Sequence, residues 1–253
     1  MKRLLPALLF IVGFLCLWQL TVTIFAVPQY LVPKPTEIFA RLGSQFTTLL
    51  PHLYVTALES VGGFLLGSLA GIILAMLFIR SKIIELSVYP YAIALNSVPV
   101  VAVAPLLVVW FGNGLLPKIL VAAIISFFPV VVNTTKGLRS IDAEAFDLFD
   151  SLSASRRQIF LKLQIPMCLP YLFAGLRVSS TLAVIGAIVG EFSGADKGLG
   201  FYILISSYRL NTVDMFVGIL LSSALGIAFF YLITVLEKLL IPWKTSKKSE
   251  LFD

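Results

Sequence analysis

Six stretches of the chain stay apolar for longer than a soluble core segment needs, and the charges gather in the gaps between them. They run from about Leu4 to Val27, Leu53 to Ile79, Ile83 to Phe111, Pro117 to Thr135, Leu169 to Phe192 and Val213 to Ile241. Between Leu4 and Val27 there is no charged side chain at all. About 20 apolar residues carry a helix across the ~30 Å hydrocarbon core of a bilayer. Lipid offers backbone groups no water, so each segment must satisfy its own hydrogen bonds, which selects helices. The segments are too long and too evenly apolar for the alternating strands of a barrel. The pattern predicts an all-α fold: a polytopic transmembrane helical bundle of about six spans, one domain over residues 1–253.

Composition agrees. Of 253 residues, 59% are hydrophobic and 13% charged, against about 25% charged in a soluble domain, and the mean hydropathy is +1.00. The net charge of +6 invites nucleic acid as a partner until the charges are located. They lie in short loops, where they set membrane orientation instead. With both termini cytoplasmic, the inner side holds Lys2, Arg3, Arg80, Lys82, Lys136, Arg139, Arg156, Arg157, Lys162, Lys238, Lys244, Lys247 and Lys248. The outer side holds Lys34, Arg41, Lys118, Lys197 and Arg209, and Arg177 sits near a helix end; 13 plus 5 plus 1 accounts for all 19 Lys and Arg. Basic residues favour the cytoplasmic side, so the arrangement is self-consistent. Met1-Lys2-Arg3 precedes an apolar run longer than the 7–15 residues of a signal peptide, which reads as a retained first span.

Several chemistries are excluded. Cys16 and Cys168 stand alone in apolar surroundings and behave as small apolar residues. His52 is the single histidine and cannot build a metal site by itself. There is no G-x-x-x-x-G-K-[ST] phosphate loop, so ATP is not hydrolysed by this chain. No span holds an acid–histidine or metal cluster for an embedded hydrolase, and no acid is read deep in a span, where secondary carriers bind ions. The chain is expected to be no enzyme and to bind no cofactor.

Three connections stand out. Pro28 to Pro51 is outside, with Thr36 expected to cap a short surface helix from Glu37 to Leu50. Phe192 to Thr212 is also outside, with Gly194, Gly198 and Gly200 ahead of an amphipathic Phe201 to Leu210. The third, residues 136–166, is cytoplasmic, as is the tail 242–253. From Asp142 to Leu152 the period is helical, with Ala145, Leu148, Phe149 and Leu152 on one face. Small polar residues then break the pattern at Ser151 to Ser155, and Ser155 suits the N-cap of a second helix running through Lys162. Pro166 and Pro170 lead into the fifth span. The segment reads as two short helices with a tight turn, either a solvated loop or a docking element for a soluble partner.

The docking alternative is favoured by a resemblance. The segment resembles the coupling loop of ABC importer permeases, E-A-A, three residues, G, nine residues, I-x-L-P. Set on Leu163-Gln164-Ile165-Pro166, the glycine position falls on Ser153 and E-A-A on Asp147-Leu148-Phe149. The acid and the final I-x-L-P are kept in type; the alanines and glycine are not. Asn96-Ser97-Val98-Pro99, Ala104-Pro105 through Gly112, Phe127-Phe128-Pro129, Gly137-Leu138-Arg139, Gly175-Leu176-Arg177 and Gly190-Glu191-Phe192 through Gly200 resemble the permeases that serve nitrate, sulfonate, taurine and thiamine-precursor pyrimidine uptake. The resemblance implies a bacterial inner-membrane subunit working with two ABC ATPase copies that bind ATP and Mg, a second permease copy in a homodimer, and a soluble extracytoplasmic binding protein. It implies ATPase contact at Asp147, Leu148, Phe149, Ser153, Ala154, Arg156, Arg157, Leu163 and Pro166. Ser153 carries a Cβ, which disfavours positive φ, and is expected in an ordinary right-handed conformation. A stand-alone secondary transporter or channel is the alternative.

Within the spans, Gly63, Gly67 and Gly71, and Gly186, Gly190, Gly194 and Gly198, recur every fourth residue. Such ladders let helices approach closely, or line a narrow path. Pro99, Pro105 and Pro129 interrupt spans three and four beside the polar Asn96, Ser97 and Asn133, which face either a path or a neighbouring helix. Arg177 and Glu191 are the ionisable candidates for a path or gate, with snorkelling and a structural role as their alternatives.

Overall fold

The computed structural model describes residues 5–243. Lys2, Arg3, Lys244, Lys247 and Lys248, with the tail from residue 244 on, lie outside the described residues. Every regular element described is helical.

The first helix, α1 (Leu5–Ile24), carries large apolar side chains all round and leaves Phe10, Leu17 and Ile24 exposed. It touches the rest mainly through Trp18, whose ring lies 5.6 Å from that of Phe216, and through Gln19, which accepts from the Thr36 hydroxyl at 3.3 Å. Thr36 is thus not a helix cap. The next helix, α2 (Pro35–Arg80), is capped two residues earlier, at Lys34: Pro35 opens it with φ already set, and the Lys34 N–H donates to the Glu37 carboxylate at 3.0 Å. The expected break at Pro51 is also absent. Pro51 lies exposed on a continuous helix of 46 residues, while Leu49 on the other face is buried against Leu199 and Val217. The outer surface helix and the second span are therefore one rod.

The third apolar stretch does bend. Helix α3 (Lys82–Ser97) and α4 (Val100–Phe111) meet at 96°. Val98 is extended ahead of Pro99, as the proline ring requires, and Pro99 caps α4. Pro105 sits inside α4 without ending it. Then α5 (Leu115–Arg139) runs through the centre, packed between α2 and α8 (Ile165–Phe192). A short α9 (Leu199–Tyr208) and the long α10 (Thr212–Leu240) complete the bundle. Four of these helices are long and apolar enough to cross a membrane: α2, α5, α8 with its leading turns, and α10; the bent α3–α4 pair makes a fifth.

Glycine sets how closely the centre packs. A Cβ on Gly67 would lie 2.5 Å from the Ala123 carbonyl oxygen, and one on Gly186 would lie 2.6 Å from Ala122 Cα. The ladders at Gly63, Gly67 and Gly71 and at Gly186 and Gly190 are the α2–α5 and α8–α5 contacts. The second ladder stops there: α8 ends at Phe192, and Gly194 and Gly198 are turn residues with φ of 147° and 122°. Buried hydroxyls complete the contact. Ser179 donates to the Ser126 carbonyl at 2.6 Å, which ties α8 to α5.

Candidate functional site

Between α5 and α8, helix α6 (Ala143–Ser151) starts from an extended Asp142. It leaves Leu148 58% and Leu152 70% exposed, while Ala145 and Phe149 are half-buried. Two large leucines held out on a charged segment form an apolar face that none of the described residues covers. The helix ends in a specific way. Ser153 N–H donates to the Asp150 carbonyl at 2.8 Å, and Ala154 N–H donates to the Phe149 carbonyl at 3.0 Å. These are the two bonds of a Schellman ending, whose C′ residue must be left-handed. Ser153 occupies it with φ of 53°. The right-handed Ser153 expected from the sequence is wrong: the last carbonyls of α6 find donors only if the chain turns left at that residue, and this outweighs the Cβ clash of about 1–2 kcal/mol.

The chain then re-enters a helix with correct chemistry. Ser155 Oγ accepts from Gln158 N–H at 3.3 Å, and the Gln158 side chain accepts from Ser155 N–H at 2.7 Å, a complete capping box at the predicted residue. Helix α7 (Arg156–Ile159) leads without a gap into a π-helical turn, Phe160–Gln164, and so into α8. Pro166 explains the wide turn. It has no N–H to give, and its ring crowds the carbonyl four residues back. Leu163 is buried, Pro166 and Ala154 are half-buried, and Asp147, Arg156 and Arg157 are exposed.

The candidate path residues do not converge. Asn96, Ser97 and Pro99 are exposed together at the α3–α4 bend, and Ser97 is bonded to its own helix at Ile93 O, 3.1 Å away. Asn133 lies on α5 and donates to Pro129 O at 2.8 Å. Arg177 forms an ion pair with Glu237, which joins α8 to α10. Glu191 is fully buried at the other end of α8.

Glu191 belongs to a cluster that the sequence reading missed. Its carboxylate accepts from Thr56 Oγ at 2.6 Å, Gly200 N–H at 2.5 Å and Phe201 N–H at 3.2 Å. Thr56 accepts in turn from Leu199 N–H at 2.7 Å, and the His52 ring bonds the Gly198 backbone at 3.1 Å. A carboxylate at the first N–H groups of α9 is the favourable placement. Gly198 is required here, since a Cβ would enter the carboxylate. Glu59 and Lys118 are each 1% exposed nearby, with Lys118 Nζ bonded to Asn113 O at 2.6 Å. The signal was available: Thr56, Glu59 and Gly63 share the helical face of the glycine ladder, and a glutamate within an apolar span is informative. Among the described residues, no group of three or more His, Cys, Asp or Glu converges as a metal site.

Comparison with known proteins decides the family. Residues 67–242 match the family described as binding-protein-dependent transport system inner membrane component. The chain belongs to that family. The formylaminopyrimidine transport permease protein ThiX of Halalkalibacterium halodurans is 36% identical over 248 residues, covering 96% of this chain and 99% of that protein. A probable ABC transporter permease protein of Haemophilus influenzae is 35% identical over 229 residues, covering 90% and 94%. A solved inward-facing MetNI methionine ABC transporter shares the fold at a TM-score of 0.62 and 18% identity, over 79% of this chain and 97% of that one. The protein is thus a membrane-embedded permease subunit of an ABC importer.

A prediction about the permease arises at Ser153. Ser153→Gly removes the Cβ clash and keeps both Schellman bonds, so it is expected to leave the permease at least as stable in thermal melts. Ser153→Val places a β-branched residue at positive φ and is expected to be less stable than Ser153→Gly by about 1–2 kcal/mol. Equal melting of the two variants would contradict this account of the turn.

Proposed function

We propose that two copies of this permease form the pathway for a small solute handed over by a soluble extracytoplasmic binding protein, with two separate ATPase subunits supplying the energy. The solute class is a nitrate-, sulfonate- or taurine-like anion or a thiamine-precursor pyrimidine. ThiX, at 36% identity, supports the pyrimidine end of that range. The proposed topology has six spans in the bacterial cytoplasmic membrane (α1, α2, the bent α3–α4 pair, α5, α8 and α10) and both termini inside. The distribution of Lys and Arg supports it.

The observation that carries the coupling role is α6 with its Schellman turn, which holds Leu148 and Leu152 out toward the cytoplasm. On this reading Asp147, Leu148, Phe149, Ser153, Ala154, Arg156 and Arg157 enter the ATPase, and Leu163 and Pro166 join the contact to α8. Closure of the ATPase pair moves the two permeases as rigid bodies between inward- and outward-open states. Asn96, Ser97 and Pro99 are the preferred path-facing residues, because their exposure in the single chain leaves them free to meet solute. Asn133 and Arg177 are engaged within the chain, and Glu191 is assigned to holding α9 in place.

The test is affinity purification in mild detergent with every copurifying chain counted. One ATPase per permease is expected, lost when Ser153→Glu and Arg156→Glu are combined. A permease that purifies alone and transports alone in liposomes would sink the reading and favour a secondary carrier.

A further inference from the structure

A cavity of about 840 Å³ lies between the end of α2, the end of α5 and the coupling segment, on the side that the proposed topology makes cytoplasmic. Its floor is apolar: Leu138 from α5, Phe146 from α6 and Phe160 from the π turn. Its rim is cationic: Arg80 closes α2, and Arg156 and Arg157 open α7. The arginines arrive from positions more than seventy residues apart in the chain, so their meeting is a product of the fold. On the same side Lys82 and Arg139 pair with Glu85, and Arg177 pairs with Glu237. Among the described residues Arg80, Arg156 and Arg157 have no ion pair, and no carboxylate lines the cavity.

We propose that this cavity binds an anionic phospholipid of the inner leaflet, its phosphate on the three arginines and its first acyl carbons on the apolar floor. Three features select a lipid over a free anion or an acidic protein segment. The site is half apolar, which a free phosphate does not use. It opens beside Met76 and Leu77, exposed on the apolar face of α2, so an acyl chain can continue into the bilayer. Its volume is within the range of small-molecule sites, about 300–1,000 Å³, whereas a docking protein helix needs an open groove. Guanidinium groups bind phosphate oxygens two at a time, and basic pockets between spans on the cytoplasmic side are the expected place for anionic headgroups. Because Arg156 and Arg157 also belong to the coupling segment, a bound lipid bridges it to α2 and holds it at a fixed height below the membrane. The inference rests on the proposed topology and not on the transported solute.

The test is native mass spectrometry of the purified full chain, exchanged into neutral detergent with equal phosphatidylglycerol and phosphatidylcholine. Retention of about one phosphatidylglycerol per chain is expected, unaffected by millimolar inorganic phosphate. Arg80→Gln alone should weaken it about fivefold, and the variant with Arg80→Gln, Arg156→Gln and Arg157→Gln by at least about fiftyfold, at roughly one such factor per basic group. Arg209→Gln, on the opposite side of the membrane, should change nothing. Arg80 ends a long helix outside the coupling turn, so its single variant decides the matter if the triple variant does not fold. Equal retention of the two lipids, loss of the lipid to free phosphate, or undiminished retention in Arg80→Gln would overturn the proposal. Loss of a copurifying ATPase with lipid retention intact would assign the arginines to a protein partner instead.

Discussion

Gly63→Ala is expected to destabilise the permease by up to about 2 kcal/mol net, although alanine favours a helix over glycine by about 1 kcal/mol. The added Cβ collides with that of Ala122 and stands 2.8 Å from the Ile119 carbonyl oxygen. Neither is the end of a flexible side chain, so α2 and α5 must separate as bodies. That separation propagates, because α5 is also held by α8 through Gly186 against Ala122. Overpacking in a rigid interface costs about 1–3 kcal/mol or more, which exceeds the propensity gain. Gly63→Leu is expected to prevent accumulation of folded protein. Gly43→Ala is the control: nothing lies within 4 Å of a Cβ there, so only the propensity gain remains. Thermal melting in detergent distinguishes them. If Gly63→Ala melted as high as the unsubstituted chain, the close approach of α2 and α5 would be wrong.

The second large effect is at Glu191. Glu191→Leu removes the acceptor for Gly200 N–H and Phe201 N–H in a buried site. Each orphaned buried donor costs about 1–3 kcal/mol, which predicts a loss of about 2–6 kcal/mol. Thr56 is not a third orphan, since its hydroxyl also reaches His52 O at 3.2 Å. Glu191→Gln keeps one carbonyl oxygen and is expected to lose less than half as much. Hydrogen exchange read by mass spectrometry should show residues 198–202 deprotected in Glu191→Leu and nearly normal in Glu191→Gln. Uptake separates the structural role from a path role. A structural Glu191 predicts transport that follows stability across both variants. Transport abolished in a stable Glu191→Gln would place the carboxylate on the solute's route.

What the sequence makes legible is whatever a residue settles with its own neighbours. Ser155 caps α7 because the cap needs only a hydroxyl and Gln158 three residues on. The bend at Pro99 is legible because a proline constrains the residue before it. Lipid-facing stretches are legible because charge is absent over twenty residues. Ser153 fails this criterion: its φ is set by which carbonyls of α6 need donors, and that depends on where α6 stops. Pro51 fails likewise, because burial of Leu49 on the opposite face keeps the helix going through it. Lys118 counts as an outer-side charge in the sequence, yet it is buried, its ammonium bonded to Asn113 and Gly114 carbonyls. Counting charges for orientation assigns a residue to a side and is silent about its depth. Glu59 went unread for a related reason, since its neighbours come from α5 and α8, far away in sequence.

The π turn at Phe160–Gln164 joins α7 to α8 without interrupting the helix, so Arg156–Phe192 is a single member of 37 residues. At 1.5 Å per residue its length is about 55 Å. Such a member works as a lever. A rotation of about 1° about its Arg156 end sweeps Phe192 through about 1 Å, comparable to the margin by which the Glu191 bonds at the far end either hold or break. A movement imposed at one end therefore reaches the other, and the places where the lever can flex are the wide turn that Pro166 forces upon it and Pro170 a turn further on.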